Sequence, residues 1–259
     1  NKKIVYKNRK IGLGIMGFAD MLIKLGIAYD SKEGIKAAEQ VMKFISEEAS
    51  KSSMELAKRR GEFPSWQHSI YNKIHENQRF SGHRKSVSCE RVRTSSLAFK
   101  GFSSEIKLRN ATRTTIAPTG TISIIADVSS GIEPLFALSY ARKTAEGKTL
   151  TYFDKNLKKA LIDNKLYNDE IIERVNREGS IKNIGEIPQK IKKIFVVGSD
   201  IAPEWHVKMQ ASFQKYVDNG ISKTVTLPKD ATVEDAEKIF MLAYELGCKG
   251  ISIYRYGSR

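Results

Sequence analysis

The longest periodic run of apolar residues lies between positions 30 and 61, where Ile35, Ala38, Met42, Ile45 and Ala49 recur at helical spacing. The pattern predicts one long helix with a single buried stripe. Asp30 or Ser31 caps its start, and Glu33 stands three residues after Asp30 as in a capping box. Arg59 and Arg60 suit the negative end, Gly61 closes it and Pro64 prevents continuation. Two further helical pieces are predicted across 148–178, with Phe153, Leu157 and Leu161, then Ile171, Ile172 and Val175, facing inward. Residues 194–197 read as a short buried strand. A helix start follows at 200–203, with Pro203 in the first turn and Trp205, Met209, Phe213 and Val217 as the apolar stripe. Residues 221–227 alternate like a strand. Thr232 caps a helix bearing Val233, Ala236, Ile239, Phe240 and Ala243, Gly247 ends it, and 250–254 is a last strand. Helices alternating with strands predict an α/β fold, a parallel sheet with crossover helices.

Gly12, Gly14 and Gly17 spell GxGxxG, which invites a dinucleotide-binding reading. That fingerprint needs a buried strand before it, and only Ile4, Val5 and Tyr6 are offered, with the charged KNRK between. The glycines lie among Ile11, Leu13, Ile15, Met16 and Phe18, ahead of Met21, Leu22 and Leu25. This predicts a closely packed helix whose small residues let a neighbour approach.

The stretch 110–134, NATRTTIAPTGTISIIADVSSGIEP, carries the strongest candidate chemistry. Thr114, Thr115 and Ile116 suggest a buried strand, Pro118-Thr119-Gly120-Thr121 a tight turn, and 122–125 a second ordered element. If Thr121 begins a helix, its free first-turn N–H groups form a cluster suited to a phosphate. An ordinary Pro-Thr-Gly turn is the competing reading.

Residues 75–107 are rich in Ser, Arg and Lys and lack periodicity, so they are expected to form a surface loop or insertion. Cys89 within it is an incidental thiol. His68, His75 and His83 lack the i, i+4 spacing of a metal site and are read as solvated; His206 is read as structural, because no base sits beside it in sequence.

Composition narrows the picture further. Hydrophobic residues make up 41% and charged residues 28%, a globular balance. No apolar run reaches the ~18 residues of a membrane span, and no secretory signal opens the chain. Two cysteines make no disulfide framework, there is no CxxC pair, and a reducing cytoplasm is expected. The formal charge of +15 is spread along the chain and implies general attraction for anions. The chain opens with Asn1 rather than Met, so it is expected to be a piece of a longer or processed protein.

Five segments together resemble one known family: NRKIGLGIMGFADML at 8–22, RNATRTTIAPTGTISIIA at 109–126, SSGIEPLFAL at 129–138, PEWHVKMQASFQKYVDNGISKTVTLP at 203–228 and GCKGISIYRYGSR at 247–259. They resemble the C-terminal half of the large subunit of ribonucleotide reductases, most closely the adenosylcobalamin-dependent class II enzymes. The resemblance spans roughly 1–72 and 106–259, with 75–107 as an atypical basic insertion in a single barrel domain covering 1–259. It implies part of a ten-stranded α/β barrel, threaded in the whole enzyme by a finger loop. It implies reduction of ribonucleotides to deoxyribonucleotides for DNA synthesis by a thiyl radical, generated with adenosylcobalamin. It places substrate phosphates on Pro118, Thr119, Gly120, Thr121 and Ile122. The family's Asn-x-Cys-x-Glu radical motif and its reducing cysteine pair are missing, and neither Cys89 nor Cys248 matches a catalytic cysteine. No catalytic residue and no metal ligand is therefore assigned.

The expectation is a chain inactive alone, completed by an N-terminal half on the same or another polypeptide, in an enzyme that is a homodimer and takes a ribonucleoside di- or triphosphate. A half barrel leaves open sheet edges, so the isolated chain should self-associate. The alternatives are a non-catalytic nucleotide- or nucleic-acid-binding module of reductase-like fold, motivated by the charge and the basic loop, and a decayed fragment without function.

Overall fold

The computed structural model describes residues 1–72, 106–143 and 149–258. The expected insertion at 75–107, with Cys89, His75 and His83, lies almost wholly outside them. The structure opens with helix α1 (Lys2–Asn8), which buries none of its residues. Residues 11–15 are not helical, contrary to the sequence reading. Leu13 forms a parallel bridge to Thr114, with its N–H donating to the Arg113 carbonyl at 2.7 Å and its carbonyl accepting from Thr115 N–H at 2.9 Å. Ile11, Leu13 and Ile15 alternate at the strand period, and that period won over the helical one. The close approach was read correctly: a Cβ on Gly14 would stand 2.2 Å from the Thr115 carbonyl oxygen. Helix α2 (Phe18–Leu25) starts only after Gly17, whose φ of 76° turns the chain.

Helix α3 (Lys32–Arg60) follows the predicted span, capped by Ser31, whose hydroxyl accepts from Gly34 N–H at 2.9 Å. Its buried stripe begins with Gly34, Ala38 and Met42 and continues as Ser46, Ser50, Ser53 and Ala57, while Ile35 and Ile45 are only partly buried. The polar part is satisfied: Ser53 Oγ donates to Asn110 Oδ1 at 3.0 Å and accepts from Asn110 N–H at 3.1 Å.

Within 110–134 lies helix α4 (Gly120–Ile125), and after it comes a hairpin of β1 (Ser139–Lys143) and β2 (Thr149–Phe153), antiparallel with Tyr140 opposite Tyr152. Residues 149–153 are thus a strand, not the start of a helix. Phe153 continues the i, i+4 spacing of Leu157 and Leu161, but TLTYF is rich in residues that favour a pleated surface. Helices α5 (Lys155–Asp163) and α6 (Asp169–Glu178) supply the two predicted pieces, capped by Asp154 and Asn168. Helix α7 (Gln189–Ile194) reaches into the segment expected to be a strand, where only Val197 bridges, to Leu135.

Helix α8 (Pro203–Gln214) has Pro in its first turn and is buried on most sides. Met209 and Phe213 face a core with α2 and α3, where the Phe18 and Phe213 rings meet edge to face at 5.0 Å; Val207 faces a second core with β3 (Thr224–Leu227) and α9 (Val233–Glu245). Thr232 and Asp235 form a reciprocal capping box at the start of α9. Strand β4 (Ser252–Arg255) returns parallel to β3, the predicted crossover. Through the bridges Leu13–Thr114 and Ile116–Ile221, a parallel row runs from 13 to 114–116 to 221–227 to 252–255.

Candidate functional site

The row of strands ends at the Pro118–Ile122 turn. Ile116, 2% exposed, anchors the chain in the core, and the next residues emerge to the surface. Thr119 takes a left-handed φ of 53°, uncommon for a β-branched residue. Its Oγ1 accepts from Gly131 N–H at 2.8 Å, which holds that conformation. Ser123 Oγ meets Ser130 Oγ at 2.9 Å. The turn is therefore braced by residues 130–131, and α4 springs from it with Gly120 as its first residue. The N–H groups of Gly120, Thr121 and Ile122 have no acceptor within the helix, as in any first turn. Gly120, Thr121 and Ile122 are exposed.

Gly120 has no positive φ, and no atom lies within 4 Å of the position its Cβ would take. The fold places no steric demand for glycine there. The structure thus brings all five predicted residues into one turn, with Thr119 used partly as an internal brace. By contrast, the start of α2, just after GxGxxG, is filled by protein: Gly17 N–H donates to the Ser129 carbonyl at 2.7 Å, and Asp20 accepts from Ser129 N–H at 2.7 Å.

Beside α4 lies a cavity of about 640 Å³, bordered by Ser123 and Ile124, by Ser129, Ser130 and Glu133, and by Thr224, Thr226 and Tyr254 of the strands. Its described lining includes the carboxylates Asp20, Glu133 and Glu178 and no Lys or Arg. Beneath it sits a buried group that sequence reasoning missed. Lys223 Nζ donates to Glu133 Oε2 at 2.6 Å, to the Thr224 carbonyl at 2.6 Å and to His206 Nδ1 at 2.9 Å. All three ammonium hydrogens are used. Glu133 Oε1 accepts from Thr224 N–H at 2.7 Å. His206 Nε2 then carries the ring proton and donates to the Gly198 carbonyl at 3.1 Å.

Burial, reinforced by the Lys223 charge, pushes His206 down to about 3, so the ring is neutral. Burial also lowers Lys223, and the Glu133 carboxylate opposes that shift. His206 is buried and, against the sequence reading, has a charged partner in Lys223. The signal lay in the strand: Lys223 is in phase with Ile221, Val225 and Leu227, a lysine on the apolar side of an alternating run.

A larger cavity, about 1000 Å³, lies between α1 and the end of α3, and among its lining are Lys2, Lys3, Arg9, Lys10, Arg60 and Arg109, with no carboxylate. Cys248 borders a third cavity, near Asp218, and burial pushes its thiol up to about 11. Among the described residues no group of three or more His, Cys, Asp or Glu could hold a metal ion, and no helix is long and apolar enough to cross a membrane. With both nitrogens of buried His206 engaged, that imidazole is not available to cobalt.

The chain is 42% identical over 258 residues to a vitamin B12-dependent ribonucleoside-diphosphate reductase of Thermoplasma acidophilum, covering all of this chain and 30% of that protein. It is 37% identical to a reductase of the same description from Mycobacterium tuberculosis, covering 97% of this chain and 32% of that one. The chain thus spans about a third of the length of these relatives. Among solved structures, it is similar to the Actinobacillus ureae class Id ribonucleotide reductase alpha subunit, with a TM-score of 0.75 and 25% identity over 98% of this chain and 40% of that one. The family described as ribonucleotide reductase, barrel domain, matches residues 2–254. The five segments picked out in the sequence, four of them on the parallel row, therefore agree with the comparisons: the chain belongs to the ribonucleotide reductase barrel domain family.

Proposed function

We propose that this chain is the substrate-phosphate part of a vitamin B12-dependent ribonucleotide reductase, acting in deoxyribonucleotide synthesis in the cytoplasm as part of a longer or split enzyme. The single barrel domain covers 1–259, with 75–107 inserted. Pro118, Thr119, Gly120, Thr121 and Ile122 hold the di- or triphosphate of a ribonucleotide. The observation that carries this reading is Gly120, an exposed glycine the fold does not require, at the head of a helix. A ligand approaching the backbone closely does require it.

The described residues offer no thiol against the 640 Å³ cavity. The radical cysteine and much of the surface for adenosylcobalamin belong to the N-terminal half, in an enzyme that is a homodimer. When bound, that cofactor supplies the radical initiation; the residues here bind and orient.

The test is Gly120→Ala in the full polypeptide that carries this chain. Alanine is the better helix former, so thermal stability should hold or rise by roughly 0.5–1 kcal/mol. Affinity for a ribonucleoside diphosphate, measured calorimetrically, should fall at least tenfold. Undiminished affinity would remove the phosphate reading. The basic cavity by α1 favours a second reading, a nucleic-acid-binding module. In that case binding to single-stranded DNA or RNA should drop steeply with salt and ignore Gly120→Ala.

A further inference from the structure

Glu133 combines two properties. Its carboxylate is fixed at both oxygens, by Lys223 Nζ and Thr224 N–H. Its side chain is nevertheless 29% exposed, while that of Lys223 is 0% exposed, and Glu133 is among the residues lining the cavity beside α4. A carboxylate has about four lone-pair positions, and the protein uses two.

The charge arrangement says what the open edge suits. A free carboxylate beside a phosphate would repel it. Here a buried ammonium compensates Glu133 from below, and His206 and the Thr224 carbonyl fix that ammonium in place. The cavity wall carries carboxylates and the hydroxyls of serines, threonines and four tyrosines, and no Lys or Arg among the described residues. Such a wall does not suit phosphate. It suits a neutral group bearing O–H donors, attached to an anion held outside the cavity. Position supports this. Glu133 N–H donates to the Ser130 carbonyl at 2.9 Å, and Ser130 and Gly131 are the residues that brace the Thr119 turn. Phosphate donors and carboxylate thus share one hydrogen-bonded unit. The volume, about 640 Å³, falls in the range of small-molecule sites.

We propose that Glu133 is a specificity residue: its cavity-facing edge accepts a hydrogen bond from a sugar hydroxyl of the ligand whose phosphates lie on residues 118–122, and Lys223 is its positioning residue. This rests on the phosphate reading above. The role is discrimination. A site that presents a fixed acceptor to a hydroxyl rejects an analogue lacking it, because the acceptor is then left without its donor.

The experiment uses the full polypeptide and isothermal titration with ribonucleoside diphosphates and their 2′,3′-dideoxy counterparts. Only the binding abolished by Gly120→Ala is counted, which isolates this site from others. The wild-type protein should prefer the ribonucleotide by roughly 10- to 100-fold, the range of one charge-assisted hydrogen bond. Glu133→Gln should shrink that ratio at least fivefold while leaving dideoxynucleotide affinity unchanged. If that variant does not fold, Glu133→Gln with Lys223→Met removes both charges together, which a buried pair tolerates better than losing one. The same collapse of the ratio is expected.

A ratio that stays at its wild-type value, or equal loss for both ligands, overturns the role of Glu133 and leaves the phosphate site standing. Absence of any Gly120→Ala-sensitive binding removes the phosphate reading and the proposal with it.

Discussion

Among the described residues, two ion pairs have a fully buried cation, and they differ in one respect. Arg113 and Asp218 are closed on both sides, with side chains 1% and 4% exposed. Asp218 accepts from Arg113 Nη2 at 2.8 Å, from Arg113 N–H at 2.7 Å and from Thr114 N–H at 3.3 Å. Lys223 and Glu133 are closed only on the lysine side. The first pair clamps the segment through Thr114 to the turn after α8, and Asp218 N–H returns a bond to Thr114 Oγ1 at 2.9 Å. The second presents a carboxylate to a cavity. A sealed pair is scaffold, and a half-sealed pair is scaffold with a working face.

The comparison can be broken from its strong side first. Arg113→Met leaves Asp218 as a buried charge without its cation, and should cost about 3–5 kcal/mol in urea denaturation. A loss under about 1 kcal/mol would mean the pair is not a clamp. Next comes acid. His206 titrates near 3 when folded and near its ordinary 6.5 when unfolded, so the unfolded chain takes the proton first as pH falls. Its contribution is complete above pH 6.5 and declines toward pH 3, on the order of 3 kcal/mol by about pH 4. His206→Asn keeps an acceptor for Lys223 and removes the titration, so its stability curve should be flatter over that window. An identical slope would show that other groups dominate.

Lys223→Met sharpens the contrast. Glu133 keeps the Thr224 N–H and an open edge, so the loss should be about 1–3 kcal/mol, below that of Arg113→Met. Equal losses would mean that both pairs are purely structural. The smallest effect concerns Cys248. With its thiol near 11, it should alkylate at pH 8 roughly a hundredfold more slowly than a free thiol, followed by mass spectrometry of the folded chain. Rapid labelling would show that the third cavity opens readily.

Much of this could be read along the chain, for a reason that also explains the rest. Helices α3, α8 and α9 carry their signals locally, in caps, prolines and apolar spacing, and their boundaries were legible. So was the 118–122 turn, whose residues are contiguous. Residues 11–15 were misread because their strand character depends on Thr114 and Thr115, about a hundred positions away, and only a few residues pair. Residues 149–153 shared a spacing with the helix that follows them. The Lys223–Glu133–His206 group could not be seen at all, since Glu133 and Lys223 meet across 90 positions. One hint stood in the strand, where a lysine occupies a position belonging to valine or leucine.

The glycine at position 14 has a consequence in time as well as space. Its strand lies against Thr115 too closely for a methyl group, and Ile116 in turn pairs with Ile221. The row cannot close until residue 221 has left the ribosome. At roughly 5–20 residues per second, the first strand waits on the order of 10–40 seconds for the last of these partners. Ile11 and Leu13 find their own partners at 112–115 about halfway through that interval, and until then they are unpaired apolar edge, a natural client for a chaperone.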